Sequence, residues 1–577
     1  MTSFVNVQPQ LLDTASADAA SLRSAIDSAA AAAALPTTSL AVAAGDGVSL
    51  AAATMFNDFG IQYQAVLREL GAVHDRFVAA LTAAGAAFTE AEGSIATTLG
   101  LGGLTAANPM YMTVQHDVAP QNVNTIFVMS GSGTATPSAK YINAVSNLFL
   151  GGFTGASPTG LSTPEGLYPF TGVKDLTLDI SLARGVTILD NAIKSALGSA
   201  PTSSNVAILG YSQSAILASM EMPKLLADGY TKDNVFFTLI GNPANPNGGL
   251  FARFPDLTMP SLGVTFGSST PSNDFPTTIW TREYDGFADF PQYPINLLAD
   301  VNALAGIVLV HGGYPTLTTA QLNSAVMLQQ SGAPSLTQYY MIPTQNLPIL
   351  TPLRAIPFIG KPLADLIQPD LRYLINWGYG DINYGWSTTP ADIATPFGVL
   401  PPWETTGAIL GPALIHGAQQ GISAFSADIA AEIPTGPPTL PTFPALPNLF
   451  GGATGTGAGL PPAAPTLDSV ISGLQNANTS LSTTLVSDIS TAYATLLPTA
   501  DLALAVGVTL PSYNVNLFLD GVQQAFNGDP VGGLINAFGR PLASDIGLGT
   551  LALGFQLIAV ENSLDTILTG TPNPGPY

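Results

Sequence analysis

The sequence predicts an α/β fold for the middle of the chain, and three observations carry that prediction. Between about residues 105 and 320, short apolar runs alternate with stretches of helical periodicity, which is the pattern of parallel strands joined by helices. One apolar run, NVAILG, passes directly into the turn YSQS and then into a helical stretch. An earlier run, TIFVMS, ends in the glycine-rich loop GSGT. Together these features indicate β–α–β units in one α/β sheet.

The individual elements of this region follow from their apolar periodicity. Strands are expected at 125–130, 176–180, 205–210, 234–246 and 277–286, and helices at 181–197 and 213–229. The following stretch, 321–432, is apolar but irregular and rich in proline and aromatic residues, and we assign it to the same domain, 96–432.

The first 95 residues are predicted to form a helical hairpin. An alanine-rich helix at roughly 8–34 ends before Pro36, which disfavours its continuation. The second helix carries an apolar stripe with spacings of three and four residues: Phe59, Tyr63, Val66, Leu70, Val73, Phe77 and Leu81. Two helices this apolar need a partner. A second helix pair and the rest of the same chain fit this requirement equally well.

Two further segments complete the chain. Residues 433–466 are rich in proline and glycine without periodicity, which predicts a linker. Residues 467–577 return to helical patterning, and we expect a small helical module there, although its sequence shows no candidate site.

Composition excludes several classes of function. The 577 residues carry a net charge of −23 with no basic run, which argues against binding to nucleic acid or to anionic lipid. The absence of cysteine excludes thiol chemistry and disulfides. The four histidines, His74, His116, His311 and His416, are far apart, so no metal site is expected and no cofactor is indicated.

Membrane insertion and general secretion are not expected either. No uninterrupted apolar run reaches the ~18 residues needed to span a membrane. The N-terminus lacks a basic region followed by an apolar one, so we expect no Sec signal peptide.

The turn Gly210-Tyr211-Ser212-Gln213-Ser214 is the first candidate for catalytic chemistry. In α/β-hydrolase folds a nucleophilic serine lies on a strained turn between a strand and a helix, with small residues at −2 and +2 because the two elements approach closely. Gly210 meets this requirement, and Ser214 stands in place of the usual glycine. The motif alone is common, but its context favours a nucleophile at Ser212 over an ordinary turn.

A serine nucleophile needs a base and an acid that orients the base. In this fold the chain order is serine, acid, histidine, so only His311 and His416 can follow as the base. His311 is favoured because it precedes a Gly-Gly loop, whereas His416 lies beyond the α/β pattern. Asp285 directly follows a predicted strand and is the favoured acid, with Asp289 as the main rival and Glu283 as a weaker one.

Acyl transfer also needs two hydrogen-bond donors for the oxyanion. The backbone N–H of Gln213, directly after the nucleophile, is expected to be one. The second is expected from the loop Gly131, Ser132, Gly133 and Thr134, although a simple glycine-rich turn explains that loop equally well.

Several motifs occur together in one order: SFVNVQPQLLDTASADAASLRSAI, SGSGT, GYSQS, YDGFADFP, NALAGIVLVHGGY and LLPTADLALAVGVTLPSYNVNLFLDG. With them the chain resembles the mycobacterial PE family, in the subgroup that carries a PE-PPE hydrolase domain. Pro9-Gln10 stands where the family usually has Pro-Glu. The family's Tyr-x-x-x-Asp/Glu export signal corresponds to Phe88 and Glu92, with phenylalanine in place of tyrosine.

The resemblance implies an α/β serine hydrolase related to cutinases that acts on fatty-acyl esters. It also implies that the N-terminal hairpin binds a PPE-family protein and a secretion chaperone. Export would then follow the type VII route, to the medium or to the cell surface in association with the cell envelope.

Two other functions stay open at this stage. Some relatives are acyltransferases of cell-envelope lipid synthesis, and such an enzyme would use the same three residues with a different acceptor. Alternatively, the hydrolase fold could be a scaffold in a non-catalytic surface or interaction protein. Composition alone leads us to expect a lid or acyl groove within 321–400.

Overall fold

The computed structural model describes residues 121–432, apart from Lys174 and residues 200–202, and residues 496–569, with isolated positions between 31 and 65. The chain falls into two compact units, Met1–Met110 and Tyr111–Tyr577. The description below concerns the second unit.

Several predictions lie outside the described residues. They are the bulk of the N-terminal hairpin, the export-signal residues Phe88 and Glu92, and the linker 433–466.

A seven-stranded sheet forms the centre of the described part of this unit. Its strands are β1 (Thr125–Val128), β2 (Pro158–Gly160), β3 (Val206–Tyr211), β4 (Val235–Ile240), β5 (Thr277–Arg282), β6 (Val326–Met327) and β7 (Thr337–Ile342). Their order is β6-β7-β5-β4-β3-β1-β2. Every neighbouring pair is parallel except β6 with β7. The predicted α/β core with a parallel sheet is therefore confirmed.

Helices lie between and after these strands. They are α1 (Ala139–Phe149), α2 (Leu178–Leu197), α3 (Gln213–Ala227), α4 (Leu250–Arg253), α5 (Leu297–Leu309), α6 (Thr319–Asn323), α7 (Thr351–Arg354), α8 (Gly360–Trp377) and α9 (Trp403–Glu432). Short 3-10 turns occupy His311–Thr316 and Pro348–Leu350. Two small strand pairs join Gln121–Asn122 to Phe153–Thr154 and Thr258–Met259 to Val264–Thr265.

The C-terminal region is helical where the structure describes it. It consists of α10 (Leu496–Leu504), a π-helical segment (Ala505–Thr509), α11 (Leu510–Phe526) and α12 (Pro530–Thr569). Side chains from α11 and α12, among them Leu510, Leu548 and Leu551, are buried in the same hydrophobic cluster as strands β3 and β4. These helices are thus packed into the core of the α/β unit.

One predicted strand is wrong. The run LTLDI at 176–180 alternates in the manner of a strand, but Leu178 begins the long helix α2 and Thr177 is its N-cap. The buried residues Leu178, Leu182 and Leu189 follow helical spacing into the core. Asp179 lies in the first turn, where the helix dipole favours a negative charge.

Two strands, β6 (Val326–Met327) and β7, were missed in the region that we described as irregular. Strand β7 (Thr337–Ile342) pairs with β5 in parallel register, and its residues Tyr339 to Ile342 are buried. The many prolines around it hide the strand in the sequence, because proline interrupts any local periodicity.

Two C-terminal helices are long and apolar enough to cross a membrane, judged by length and composition alone. They cover Leu496–Phe526 and Pro530–Glu561, each with a mean hydropathy of 1.5 over an 18-residue window. Our sequence criterion missed them because isolated residues such as Asn514 and Asp545 interrupt their apolar runs. In the structure one face of each helix is packed against the α/β core.

Candidate active site

Ser212 lies on a sharp turn between β3 and α3. Its backbone adopts φ 57° and ψ −117°, a conformation that non-glycine residues rarely take. A Cβ atom at Gly210 would lie 2.7 Å from the carbonyl oxygen of Ser214 and 2.9 Å from the Cα of Ala215. The strand and the helix therefore approach too closely for any side chain at this position, as expected for a nucleophile elbow.

Ser214, which replaces the usual glycine, stabilises this turn. Its hydroxyl accepts a hydrogen bond from the N–H of Tyr211 (2.8 Å) and donates one to the carbonyl of the same residue (3.0 Å). The serine at +2 is therefore compatible with the elbow and adds two hydrogen bonds to it.

The structure brings Ser212, His311 and Asp285 together. The Oγ of Ser212 lies 2.7 Å from Nε2 of His311. Both carboxylate oxygens of Asp285 lie 2.8 Å from Nδ1 of the same ring. With Nδ1 protonated and bonded to Asp285, Nε2 is left free to accept the serine proton. All three side chains are buried.

Asp285 is held by several further donors. The hydroxyl of Tyr314 donates to its Oδ2 (2.8 Å), and the N–H groups of Phe287 and Ala288 donate to its Oδ1 (3.2 and 3.4 Å). Burial and the negative charge of Asp285 raise the pKa of Tyr314 well above its usual value, so Tyr314 remains a donor. These contacts stabilise the ionised carboxylate in a buried place.

The histidine ring is positioned by its neighbours. The hydroxyl of Tyr211 donates to the carbonyl of His311 (2.6 Å), and the Tyr211 ring stacks on the imidazole with centroids 5.5 Å apart. Phe287 packs its edge against the imidazole on another side, at 4.8 Å. These contacts restrict the rotation of the His311 imidazole and exclude water from its faces.

The rival acids have other partners. Asp289 accepts a hydrogen bond from the N–H of Tyr284 (2.9 Å), and burial raises its pKa well above the usual value. Glu283 accepts from the N–H groups of Thr344 (2.8 Å) and Gly385 (3.1 Å). Both carboxylates therefore support the loop around Asp285 and have no hydrogen bond to His311 among the described residues.

The other histidines are not part of this cluster. His416 is on α9, where its Nε2 pairs with the side chain of Gln420 at 2.9 Å. His74 and His116 lie outside the described residues. Where the structure describes the chain, it also contains no group of three or more His, Cys, Asp or Glu side chains that could hold a metal ion.

Two of the expected oxyanion donors are already engaged. The N–H of Gly133 donates to the carbonyl of Glu165 (2.7 Å), and the N–H of Thr134 donates to that of Gly131 (3.1 Å). Among the described residues no hydrogen bond engages the N–H of Ser132 or Gln213. Of the expected oxyanion donors, the backbone N–H groups of Gly131, Ser132 and Gln213 therefore remain available.

The side chain of Gln213 connects the two parts of this candidate oxyanion site. Its Oε1 accepts from the hydroxyl of Ser132 (2.8 Å), and its Nε2 donates to the hydroxyl of Ser181 on α2 (2.5 Å). The loop that contains Ser132 is thereby fixed to the start of α3, next to the nucleophile. Sequence reasoning considered only the backbone of Gln213 and missed this role of its side chain.

Gly131 allows the loop to approach the nucleophile. A Cβ atom there would lie 3.0 Å from the Cβ of Ser212 and 3.2 Å from the ring of Tyr211. A side chain there would have to displace its neighbours by a few tenths of an ångström, so the glycine lets the loop pack closely against Ser212.

Glu165 lies beneath the same loop and was missed from the sequence. It is buried with φ 53°, its carbonyl accepts the N–H of Gly133, and its Oε1 accepts the hydroxyl of Thr163 (2.5 Å). Burial raises its pKa to about 8, against a smaller opposing effect of the Thr163 hydrogen bond. At neutral pH the group is therefore mainly uncharged and adds little negative charge near a developing oxyanion.

Two cavities of different character meet at Ser212. One is almost wholly apolar and includes Phe170 and Phe287 from the core and Phe555 from α12. The other is a groove of mixed character, lined mainly by hydroxyl-bearing residues and His311: Ser130, Ser132, Thr134, Ser138, Tyr141, Tyr211 and His311. The expectation of a lid or groove within 321–400 is not supported, because no residue of that range lines either cavity.

The mostly parallel sheet and the strained serine turn at the end of its interior strand β3 define an α/β-hydrolase type of protein. Residues 5–94 match the PE family, and residues 154–380 match the PE-PPE domain. The chain belongs to the PE family and carries a PE-PPE domain.

Individual relatives from Mycobacterium tuberculosis agree with this assignment. "Uncharacterized PPE family protein PPE28" is 47% identical over 444 residues, which cover 76% of this chain and 66% of that protein. "Esterase PE16" is 40% identical over 407 residues, 69% of this chain and 72% of that protein. "Diacyltrehalose acyltransferase Chp2" is 29% identical over 258 residues, 42% of this chain and 68% of that protein.

Among solved structures, a cutinase-like protein from Cryptococcus sp. is similar to part of the chain. It is 18% identical, with a TM-score of 0.23, and the match covers 36% of this chain and 91% of that protein.

Proposed function

We propose that this protein is a serine esterase that hydrolyses fatty-acyl esters. The observation that carries the proposal is the line of contacts from Ser212 Oγ to His311 Nε2 (2.7 Å) and from His311 Nδ1 to Asp285 (2.8 Å). The relative named Esterase PE16 supports this type of reaction. The apolar cavity next to Ser212 supports an acyl chain as the part of the substrate that is recognised.

The first half of the reaction acylates the enzyme. The oxygen of Ser212 attacks the ester carbonyl while Nε2 of His311 takes its proton. The carbonyl π electrons move to the oxygen, and the amides of Ser132 and Gln213 stabilise the oxyanion. The tetrahedral intermediate then collapses, the bond to the alkoxide breaks, and the alkoxide leaves with the proton from Nε2.

The second half releases the acid. Water attacks the acyl carbon of the acyl-serine, and Nε2 of His311 takes one proton of that water. The second tetrahedral intermediate expels the oxygen of Ser212, which recovers the proton from Nε2. Asp285 stays ionised throughout and stabilises the transient imidazolium.

The test is hydrolysis of p-nitrophenyl esters from acetyl to palmitoyl by the full chain. We expect the wild type to turn over at least one of them and Ser212→Ala to lose about 10⁴-fold or more in kcat. Ser324→Ala, at an exposed serine that caps α6, is the matched control and should keep full activity. Unchanged turnover in folded Ser212→Ala would refute the mechanism.

An acyltransferase is the second candidate, and a specific observation favours it. The second groove at Ser212 has the hydroxyl-bearing residues Ser130, Ser138 and Tyr141 in its lining, which suits a polyhydroxylated acceptor. The relative named as a diacyltrehalose acyltransferase points the same way. Product analysis with added trehalose or a lipid alcohol distinguishes the two: transfer gives a new ester, hydrolysis gives only free acid.

The third candidate is a non-catalytic surface protein built on the hydrolase fold. A fluorophosphonate probe separates it from both enzymes, because only an activated serine reacts with the probe. Labelling of the wild type and loss of labelling in Ser212→Ala would exclude the scaffold hypothesis. Absence of labelling in the folded wild type would favour it.

For the N-terminal region we propose partner binding and export. The match of residues 5–94 to the PE family supports domain limits of 1–95 for the hairpin. Through the hairpin the protein would bind a PPE-family protein and a secretion chaperone, and leave the cell by type VII secretion. Comparing the amount exported for wild type and Glu92→Ala tests this, and equal export would contradict it.

A further inference from the structure

The apolar cavity at Ser212 is closed on one side by the C-terminal helices. These helices follow the segment 154–380 that matches the PE-PPE domain. Their sequence alone suggested no role. The structure places eight of their side chains in the cavity wall: Leu502, Ala505, Val506, Leu510, Leu548, Leu551, Ala552 and Phe555.

The wall is chemically uniform. Apart from Ser132, Ser212 and Gln213 at the catalytic end and the hydroxyl of Tyr168, the described lining consists of aliphatic, proline and phenylalanine side chains and Met259. None of them is charged. A ligand that fits such a cavity is a hydrocarbon chain with its polar end at Ser212, because burial of CH₂ groups is favourable and burial of unpaired polar groups is costly.

Phe555 links the C-terminal wall to the triad. Its ring contacts Phe170 (centroids 5.8 Å apart) and Phe287 (6.4 Å). Phe287 in turn contacts the imidazole of His311 at 4.8 Å. The wall is therefore continuous with the packing that positions the catalytic base.

The helices are held firmly in this place. Asp501 accepts a hydrogen bond from the hydroxyl of Tyr168 (2.7 Å) with its side chain and one from Ser261 (2.8 Å) with its carbonyl. The hydroxyl of Tyr513 donates to the carbonyl of Pro255 (3.0 Å). These contacts fix α10 and α11 to two segments of the core that also contribute to the lining, with Tyr168 in one and Met259 and Leu262 in the other.

A π-helical segment lies at the cavity. It covers Ala505–Thr509, and its first two residues, Ala505 and Val506, belong to the lining. Single π-helical turns occur frequently at functional sites, and here the widened turn faces the space that an acyl chain would occupy.

We propose that the C-terminal helices form one wall of the acyl-binding site and that Ala552 and Phe555 help to set the acyl chain length. The inference rests on the proposed function. An acetyl group needs only the polar end of the cavity, whereas a long chain must extend along this wall. A larger side chain in this wall should therefore lower kcat/KM for long esters more than for short ones.

The test compares Ala552→Trp with Ala503→Trp. Ala552 lines the cavity, whereas Ala503 is exposed on the neighbouring helix α10, so the second variant carries the same added ring without entering the site. We expect Ala552→Trp to lower the ratio of kcat/KM for palmitoyl over acetyl p-nitrophenyl ester by about tenfold or more. Ala503→Trp should leave that ratio unchanged.

A second variant acts in the opposite direction and does not overpack the core. Phe555→Ala widens the cavity, so the ratio of the longest to the medium-length esters should rise. If Ala552→Trp fails to fold, this variant alone decides the inference. An unchanged chain-length profile in folded Phe555→Ala would overturn it.

A binding measurement separates failure of this inference from failure of the proposed function. The probe is 11-(dansylamino)undecanoic acid, whose fluorescence reports binding to the Ser212→Ala protein without turnover. Adding Ala552→Trp should weaken binding about tenfold, whereas adding Ala503→Trp should not. If wild type hydrolyses no ester but the probe binds in this pattern, the esterase proposal fails and the acyl site stands. If esters are hydrolysed but the two tryptophan variants behave alike, the inference fails.

Discussion

The α/β core and the C-terminal helices meet at the cavity beside Ser212 and differ in what they contribute: the core lines it with polar and apolar side chains, the helices with apolar ones alone. The core supplies every polar group of the triad, with Asp285 and His311 buried among hydrogen-bond donors. The helices supply hydrocarbon, from Leu502 to Phe555. Under the proposed function, the residues that set the reaction rate all lie in the core, whereas the C-terminal helices contribute only to the choice of acyl chain, and variants in the two regions test that division.

The largest expected effect is on the core side. Asp285→Asn should lower kcat by about 10³- to 10⁴-fold, because the amide no longer stabilises the imidazolium and the correct tautomer. The loss should be the same for acetyl and palmitoyl esters, since the acyl wall is untouched. Steady-state kinetics across the ester series measures both quantities.

The control for this prediction is Asp289→Asn. Its side chain supports the N–H of Tyr284 and does not reach His311, so its loss in kcat should be far smaller. Equal losses in the two variants would contradict the assignment of Asp285.

The next effect is on stability and depends on pH. Burial holds the pKa of Glu165 at about 8 in the folded protein, above its usual unfolded value near 4.3. As pH rises from about 4.5 to 8, the unfolded chain loses a proton that the folded chain retains, so the free energy of unfolding falls. At about 1.4 kcal/mol per pKa unit, this carboxyl lowers the free energy of unfolding by a few kcal/mol over that pH range.

Glu165→Gln removes the titrating carboxyl group. Between pH 4.5 and 8 the free energy of unfolding of the variant should therefore fall less than that of the wild type. Urea denaturation of both proteins at several pH values measures the difference. Burial also raises the pKa of Glu221 to about 8. Because this residue is present in both proteins, its effect on stability cancels in the comparison. Parallel pH profiles for wild type and variant would disprove the buried neutral state of Glu165.

A smaller effect on rate is expected at the oxyanion loop. Gly131→Ala places a methyl group 3.0 Å from the Cβ of Ser212, so the loop must shift and its amides move away from the oxyanion. We expect kcat to fall by about 10- to 100-fold at all chain lengths, with little change in KM. A change confined to long esters would break the division between core and helices.

The smallest effect is expected where the two regions join. Tyr168→Phe removes the hydroxyl that donates to Asp501 and should cost about 1 kcal/mol of stability. Thermal unfolding measures this loss, and acetyl ester hydrolysis should be unaffected. A loss of acetyl activity as large as that of Gly131→Ala would show that the joint also positions the triad.

The parts of the site that were predictable are those fixed by short local patterns. The elbow at Ser212 was evident because a strand, a glycine at −2 and a helix must follow one another there. Chain order left His311 and His416, and the Gly-Gly loop after His311 favoured that residue. The distinction between Asp285 and Asp289 needed coordinates, because the two side chains, four residues apart, point to different partners.

Other features were not predictable, for physical reasons. The side-chain role of Gln213 joins residues from α2, α3 and the loop after β1, a contact that no local pattern encodes. The wall formed by α10 to α12 consists of ordinary apolar residues, which have the same sequence appearance whether they face a core or a ligand. Strand-like alternation at 176–180 failed because tertiary burial favoured the helical stripe of α2.

The separation of wall and triad along the chain has an evolutionary consequence. Ser212, Asp285 and His311 are encoded well before the C-terminal helices that close the cavity. Mutation or recombination near the end of the gene can therefore reshape the cavity without altering Ser212, Asp285 or His311. A lineage of such proteins could diversify its substrates in one segment while purifying selection preserved the other.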